Sequence, residues 1–381
     1  MKTAVLVTGI AIGLGACLEW QVASATRTTA PLPVMRQFNQ SFPLEPTGET
    51  TANVSLGDLD GDGNLDIVLA KGRHWPLRSL VFFGDGKGHF TPGPALPSPP
   101  VRSYSAPLAD LNGDGSLDMV ISNDQPDAKM VLLNDGRGRF RLAGTFGDPN
   151  WPTRNVVLAD LNRDGYPDIA VANRPGPSYV CLNDGQAHFS CQPLGPETSA
   201  TILASDMDGD GSQDLVVACR DRCQSVVYFN DGNGNFLRKL PFGPQNASTR
   251  AIAIADFDGD GRPDIAACHE EEGLFVYLNT GQGHFGPGIR VAGREALPYS
   301  MLAADLNKDR RPEIIVGYVN APGAIYWNDG TGRKFYRTAF GDNQGAIYGL
   351  AVGDLDGDGY PDLVAARSGA PSLVFLSRPI P

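Results

Sequence analysis

Seven copies of one acidic nine-residue segment constrain this chain more than anything else in it. "DLDGDGNLD" at Asp58 recurs as "DLNGDGSLD" at Asp110, "DLNRDGYPD" at Asp160, "DMDGDGSQD" at Asp206, "DFDGDGRPD" at Asp256, "DLNKDRRPE" at Asp305 and "DLDGDGYPD" at Asp354. The copies return about every fifty residues. A fixed period of that size means one supersecondary unit per repeat, stacked because no unit can bury its apolar face alone.

Each unit reads the same way. An apolar approach such as "AIAIA" (251–255) leads into the acidic loop, and a second apolar run such as "DIVLA" (66–70) leads out of it. After a variable stretch comes "VYLN"-type text and an "NDGxGxF" turn, whose Asp-Gly between β-rich runs is a hairpin signal. Glycine (46) and proline (30) break every stretch that could be a long helix. Four strands per repeat make one propeller blade, and seven blades lie in the usual range. The expected fold is all-β: a seven-bladed β-propeller of four-stranded blades. The last repeat stops at "SLVFLSRPIP" without a fourth strand, while residues 35–46, "MRQFNQSFPLEP", resemble fourth-strand text such as "GHFTPGPALP" at 88–97. An N-terminal strand is therefore expected to complete the last blade and remove its open edge.

Residues 1–25 read as a signal peptide: a basic start at Lys2, an apolar stretch over 4–18 and a small-residue cleavage site at Ala23-Ser24-Ala25. That stretch is short of the ~20 residues of a membrane span, so no transmembrane span is expected. "LGAC" offers an alternative, a lipoprotein cut before Cys17 that would leave a lipid anchor there. Residues 26–381 then form a single propeller. Export permits disulfides: Cys181 and Cys191 face each other about a turn, Cys219 and Cys223 could close a tight loop, and Cys268 is left over as a buried small hydrophobe.

In each acidic loop, side-chain oxygens at positions 1, 3, 5 and 9 and the backbone carbonyl of position 7 would surround a hard cation of calcium size. With the carbonyl donor named fourth, the sets are Asp58, Asp60, Asp62, Asn64 and Asp66; Asp110, Asn112, Asp114, Ser116 and Asp118; Asp160, Asn162, Asp164, Tyr166 and Asp168; Asp206, Asp208, Asp210, Ser212 and Asp214; Asp256, Asp258, Asp260, Arg262 and Asp264; Asp354, Asp356, Asp358, Tyr360 and Asp362. Like charges ~4 Å apart repel by roughly 4 kcal/mol at an effective dielectric of 20, so the loops call for an ion. No loop holds His or Cys, which disfavours zinc. An EF-hand is excluded because its position 12 falls on Leu69, inside a β run. The ions are read as structural, since every blade repeats them. The loops hold more than half of the 43 acidic residues, and six divalent ions would cancel the formal net charge of −12. The acidic balance therefore does not point to a cationic partner, and no basic stripe points to nucleic acid.

Seven DxDxDGxxD-type loops at this period, each followed by "D-I/L-V/A" and a later "NDGxGxF", resemble FG-GAP/VCBS repeats of the integrin-α N-terminal-like propeller. The resemblance covers residues 26–381 and implies Ca²⁺ at each matching loop. One copy departs from it: Lys308 adds a positive charge, Arg310 replaces the turn glycine and Glu313 the closing Asp. Its Asp305, Asn307, Asp309 and Glu313 are expected to form a weak or empty site.

Propeller connectivity puts the acidic loops and NDGxGxF hairpins on one face. The variable loops lie on the other, where binding usually sits. His89, His188 and His284 recur before Phe in the hairpins and are scaffold. His74 and His269 fall on the variable face and read as loop residues. Aligned six residues before the first acid, the repeats give Ala52, Tyr104, Arg154, Ala200, Arg250, Tyr299 and Tyr348. These should encircle the channel mouth, where Tyr and Arg suit a sugar or an anionic group. Trp75, Arg102, Trp151, Arg220 and Arg222 lie in nearby loops. The candidate ligand site is Tyr104, Arg154, Arg250, Tyr299, Tyr348, His74, Trp75 and Trp151, on an exported binding or adhesion module for a glycan or protein ligand. One alternative is a secreted polysaccharide-active lyase or hydrolase working through His74 with a Tyr and an Arg. The other is an architectural surface protein. No paired carboxylates or nucleophile motif stand out beyond the metal loops.

Overall fold

The computed structural model describes residues 33–294 and 296–380. The signal peptide over 1–25 and the lipoprotein cut at Cys17 lie outside the described residues. Strands and turns account for those residues, with no helix among them. Seven four-stranded antiparallel sheets follow one another along the chain. The first blade runs Thr51–Gly57, Asp66–Lys71, Leu80–Gly84 and Phe90–Pro92, in chain order from the channel outwards. In the second blade the innermost strand is broken into Ser103–Ser105 and Leu108–Ala109. In the fifth, a small ribbon of Asn279–Gly281 and His284–Phe285 precedes the outer strand Ile289–Ala292.

The seventh blade contains Ala346–Gly353, Asp362–Ser368 and Leu373–Pro379, and its outer strand is Arg36–Pro43 from the other end of the chain. The pairing runs from Pro43 opposite Leu373 to Arg36 opposite Pro379. The N-terminal strand thus closes the ring, as the sequence leads one to expect. A buried charge cluster ties the seam: Lys71 of the first blade pairs with Glu45, which is 5% exposed, and with Glu49 at 2.8 Å. Glu45 also accepts from Thr51 at 3.2 Å and from Ser372 of the seventh blade at 3.0 Å.

The second strand of each blade explains its continuous apolar run. Asp66–Lys71, Asp168–Asn173 and Asp214–Cys219 are buried at every residue, because a neighbouring sheet covers each face. The core is accordingly divided into clusters shared by adjacent blades. Ile67 and Leu69 of the first blade pack with Leu355 and Val364 of the seventh, and Ile315 and Trp327 of the sixth pack with Leu363 and Phe375 of the seventh. No blade has a private core, which is why a repeat cannot fold alone.

Glu45→Ala would leave Lys71, fully buried, with only the half-exposed Glu49. Breaking such a pair from one side is expected to remove about 3 kcal/mol of unfolding free energy. The Glu45→Leu/Lys71→Met double variant should recover much of that loss. Denaturant titration measures both, and a loss below about 1 kcal/mol for Glu45→Ala would remove the cluster from its assigned place in ring closure.

Candidate functional site

The acidic loops are organised around their last residue. Asp66 is fully buried; its Oδ2 accepts the Leu59 N–H at 2.7 Å and its Oδ1 the Gly84 N–H at 2.9 Å. Asp118, Asp168, Asp214, Asp264 and Asp362 repeat this pattern, each joining the loop's second residue to the end of the third strand. Burial lifts five of these carboxyls to about 6 against the pull of their two N–H donors, and lifts Asp214 to about 7. The closing residue is therefore first a structural acceptor.

The first residue wraps the loop from outside. Asp58 accepts from Gly61 at 2.8 Å and Gly63 at 2.9 Å, and Gly63 holds φ of 87°. That leaves groups of three acidic oxygens within 4.8 Å of one another in four loops: Asp58, Asp60 and Asp62; Asp206, Asp208 and Asp210; Asp256, Asp258 and Asp260; Asp354, Asp356 and Asp362. These triads could hold metal ions. The donor chemistry fits: Asp208 and Asp258 each bury an Oδ1 with no hydrogen-bond partner. Asp60 and Asp258 are raised by burial and then by repulsion from their neighbouring carboxylates. Asn112 and Asn162 replace the acid at position 3 in the second and third loops, and each bonds the loop's own Asp114 or Asp164.

Arginines reach into three of the triads. Arg238 pairs with Asp208, Arg262 with Asp260, and Arg378 with Asp356 at 2.8 Å. Elsewhere Arg163 bonds Ser212 at 2.8 Å, and Arg36 lies over the Tyr360 ring at 3.6 Å. Tyr166 packs on Gly185 of its own hairpin. In the sixth loop Arg310 takes φ of 65°, Asp305 and Asp309 keep the loop's internal bonds, Asn307 bonds Val34 at 3.0 Å, and Lys308 turns to Tyr360. Glu313 stands in for the closing Asp, accepts from Leu306 at 2.7 Å, and is pushed up to about 8 by burial.

The other end of the channel is built from a second repeated irregularity. In all seven innermost strands the register with the second strand shifts at one residue. The residue at the shift is Ala52, Tyr104, Arg154, Ala200, Arg250, Tyr299 or Tyr348. Such a β-bulge re-aims its side chain, and the seven converge on one cavity of about 450 Å³. Arg73, His74, Arg174 and Arg220 enter the same cavity from loops that follow second strands. Among the described residues, no carboxylate lines it.

Tyrosines and arginines interleave there. Arg73, 8% exposed, lies over Tyr348 at 3.8 Å and Tyr299 at 4.9 Å, and donates to the Tyr299 hydroxyl. Arg154 covers Tyr104 at 4.6 Å and pairs with Asp124 at 2.6 Å. Arg250 covers Tyr299 at 4.5 Å and shares Glu270 with Arg220. Arg174 pairs with Asp221 at 2.5 Å, within the loop that the Cys219–Cys223 disulfide closes. His74 lies edge-on to Tyr104 at 5.9 Å, and burial, then Arg73 and Arg154, hold its imidazole below the usual range.

The tryptophans are not part of this group. Trp75 is 69% exposed and outside the cavity lining. Trp151 stacks on Tyr179 at 3.9 Å, and its carbonyl accepts from Lys129 at 2.7 Å, so its face is spent on the blade. His269 is no loop residue: it is 1% exposed, bonded to Thr249 at 3.0 Å and Tyr277 at 2.8 Å, and pushed down to about 4 by burial. Arg102 pairs with Asp127, and the exposed Arg222 with Glu271. Cys181 and Cys191 are bonded across their hairpin, and Cys268 is buried and free.

Sequence reasoning missed Arg73 and Arg174 as lining residues. For Arg174 a signal existed: the first residue past the second strand is Asp124, Arg174, Arg220 and Glu270 in four successive blades, and each is fixed by a backbone bond to the segment before the inner strand.

Residues 58–121, 110–171, 206–267, 256–316 and 305–365 match a family model described as FG-GAP-like repeat. No curated protein matches the chain. Among solved structures, BBS1N in complex with ARL6DN, soaked with mercury, is similar at TM-score 0.61 and 16% identity, over 91% of this chain and 97% of that one. The same complex soaked with lead gives a TM-score of 0.60 at 16% identity and the same coverage. At that identity the likeness is one of fold.

Asp214→Ala strands the Met207 and Asn230 N–H groups, and each such group costs about 1–3 kcal/mol. In chelator, unfolding free energy should fall by about 2–5 kcal/mol for Asp214→Ala and by less than about 1 kcal/mol for Asp208→Ala. Equal losses in a denaturant titration would contradict the separate tasks of closing and outer carboxylates.

Proposed function

The chain belongs to the FG-GAP-like repeat family, and from that premise we propose that it is an exported, calcium-stabilised propeller acting as a binding or adhesion module. Its ligand, a glycan or a protein, sits at the channel mouth on the variable-loop face. The observation that carries this reading is the bulge present in every blade at the residue facing the cavity. Seven blades spend backbone regularity to aim side chains at one place. Tyr104, Arg154, Arg250, Tyr299 and Tyr348, with His74, are the contacts expected from the bulges and the adjoining loop. Trp75 stands outside as a rim contact for a ligand larger than the cavity. The similar fold of BBS1N, whose structure was obtained with ARL6DN, keeps a protein among the candidate ligands.

Calcium is the ion this reading assigns to the loops, because an all-oxygen donor set suits a hard cation that sheds its waters more readily than magnesium. Its task there is to join strands and hold each acidic loop against its own repulsion. The sixth loop, with Arg310 and Glu313, is the one expected to bind weakly or not at all. Two disulfides suit an oxidising compartment, in line with a signal peptide over 1–25 or a lipid at Cys17. One observation favours an enzyme acting on polysaccharides instead: the Tyr104 hydroxyl lies 3.3 Å from His74. Turnover of uronic-acid polymers, lost in His74→Ala, would replace the binding reading.

Chelation is expected to lower the unfolding temperature by roughly 5 °C or more, since one site filled at a hundred times its Kd adds about 2.7 kcal/mol. No shift in a thermal scan with and without Ca²⁺ would end the structural-ion assignment. A glycan array of the mature protein in Ca²⁺, beside an Arg154→Ala/Arg250→Ala variant, tests the mouth. Selective binding lost in a folded variant supports it, and binding that survives places the ligand elsewhere.

A further inference from the structure

The mouth holds more positive charge than its own partners balance. Five guanidinium groups line the cavity: Arg73, Arg154, Arg174, Arg220 and Arg250. Three carboxylates answer them. Asp124 takes Arg154 and Asp221 takes Arg174. Glu270 offers one oxygen, Oε1, to both Arg220 at 2.9 Å and Arg250 at 2.5 Å. Among the described residues no carboxylate is paired with Arg73, although it is 8% exposed. Its neighbours are the rings of Tyr348, Tyr299 and Tyr104, with the Tyr299 hydroxyl accepting one N–H.

A buried cation without a counter-ion is costly. Ring faces and tyrosine hydroxyls offset part of that cost but supply no counter-charge, which an oxyanion meeting the planar fork would bring. The tyrosines are accordingly committed. Tyr299 has Arg73 and Arg250 over its ring, and Tyr104 has Arg154 and Arg73. They orient guanidinium groups and are not open platforms for a neutral sugar ring. In a chain of formal net charge −12, a cavity lined by five arginines and, among the described residues, by no carboxylate is a local reversal of sign.

Resting on the reading of the mouth as a ligand site, we propose that it is a clamp for a dianionic oxygen ligand, with Arg73 as its inner donor and Arg220 and Arg250 as the shared outer pair. The cavity, about 450 Å³, has the size of a small-molecule site and exceeds a single bare ion. A phosphate monoester and a pair of neighbouring uronate carboxylates both present this chemistry.

Calorimetric titration of the Ca²⁺-loaded protein with sodium sulfate or inorganic phosphate would show the tetrahedral source, and digalacturonate the dicarboxylate one. Lactose serves as the neutral probe. The expected result is one site per chain for at least one dianion and none for lactose. Binding should weaken at least tenfold in Arg73→Gln and in Arg220→Gln, and severalfold between low and physiological salt. If Arg73→Gln fails to fold, Arg220→Gln on the more open rim decides alone. No dianion binding by the folded protein, or unchanged affinity in the folded variants, overturns the proposal. If an array ligand still depends on Arg154 and Arg250 in that case, the binding-module reading stands and only the dianion assignment falls.

Discussion

The buried carboxylate that closes each acidic loop is the interaction on which the rest of the ring depends. Its two oxygens take one N–H from the loop and one from the third strand, so a single side chain fixes the turn, the second strand and the third at once. Full burial makes that acceptor indispensable, because the stranded N–H groups have no water to turn to. It also explains the length of the acidic segment: the closing acid must reach back to the loop's second residue from the start of the next strand. Once that carboxylate is committed inward, the earlier acids are pressed together on the surface, and an ion is the natural answer to their repulsion.

Between blades the same economy recurs. The Asn that ends the third strand donates its amide to the carbonyl of the second loop residue in the preceding blade: Asn134 to Leu59, Asn183 to Leu111, Asn230 to Leu161, Asn279 to Met207 and Asn328 to Phe257, at 2.7–2.9 Å. The first blade has Gly84 there and the seventh Ser377, so neither blade at the seam has this staple. The Lys71–Glu45 cluster and the N-terminal strand lie where it is missing. A ring locked this way leaves the loops of the opposite face free to vary without loss of the fold, and that is where the arginines accumulate.

Period, strand count, ring closure and the convergent column were legible in the sequence because each is a repeated or terminal feature, visible by aligning the copies. What stayed hidden is what repetition does not encode. The bulges leave no residue signature, since Ala52, Arg154 and Tyr348 share only a backbone irregularity. Trp151 and His269 sat in the right loops, but their fate was decided by single neighbours, Tyr179 for one and Thr249 with Tyr277 for the other. Arg73 was missed because its partners are three tyrosines from three other repeats, and a lone arginine beside a histidine gives no hint of burial. The acid at position 9 carries the same letter as the outer ligands, and only burial and two N–H bonds mark it as a structural acceptor as well, with Asp362 still within reach of Asp354 and Asp356.

The two faces lie far apart on the scale of solvent screening. Inner strands of seven residues, as in Thr153–Ala159, separate loops from mouth by about 20 Å, against a screening length of about 8 Å at physiological salt. Whether the acidic loops are filled or empty therefore changes the net charge of the protein far more than the field at the mouth. That field is set by the local arithmetic of five guanidiniums and three carboxylates, two of which, Asp124 and Glu270, stand at equivalent places just past second strands. An ion held at the loops would act on the mouth through rigidity, by steadying the strands whose bulges aim the side chains. Loops and mouth are coupled in this ring by geometry, through the strands that run between them, and more than half of the acidic residues lie in the loops, away from the mouth.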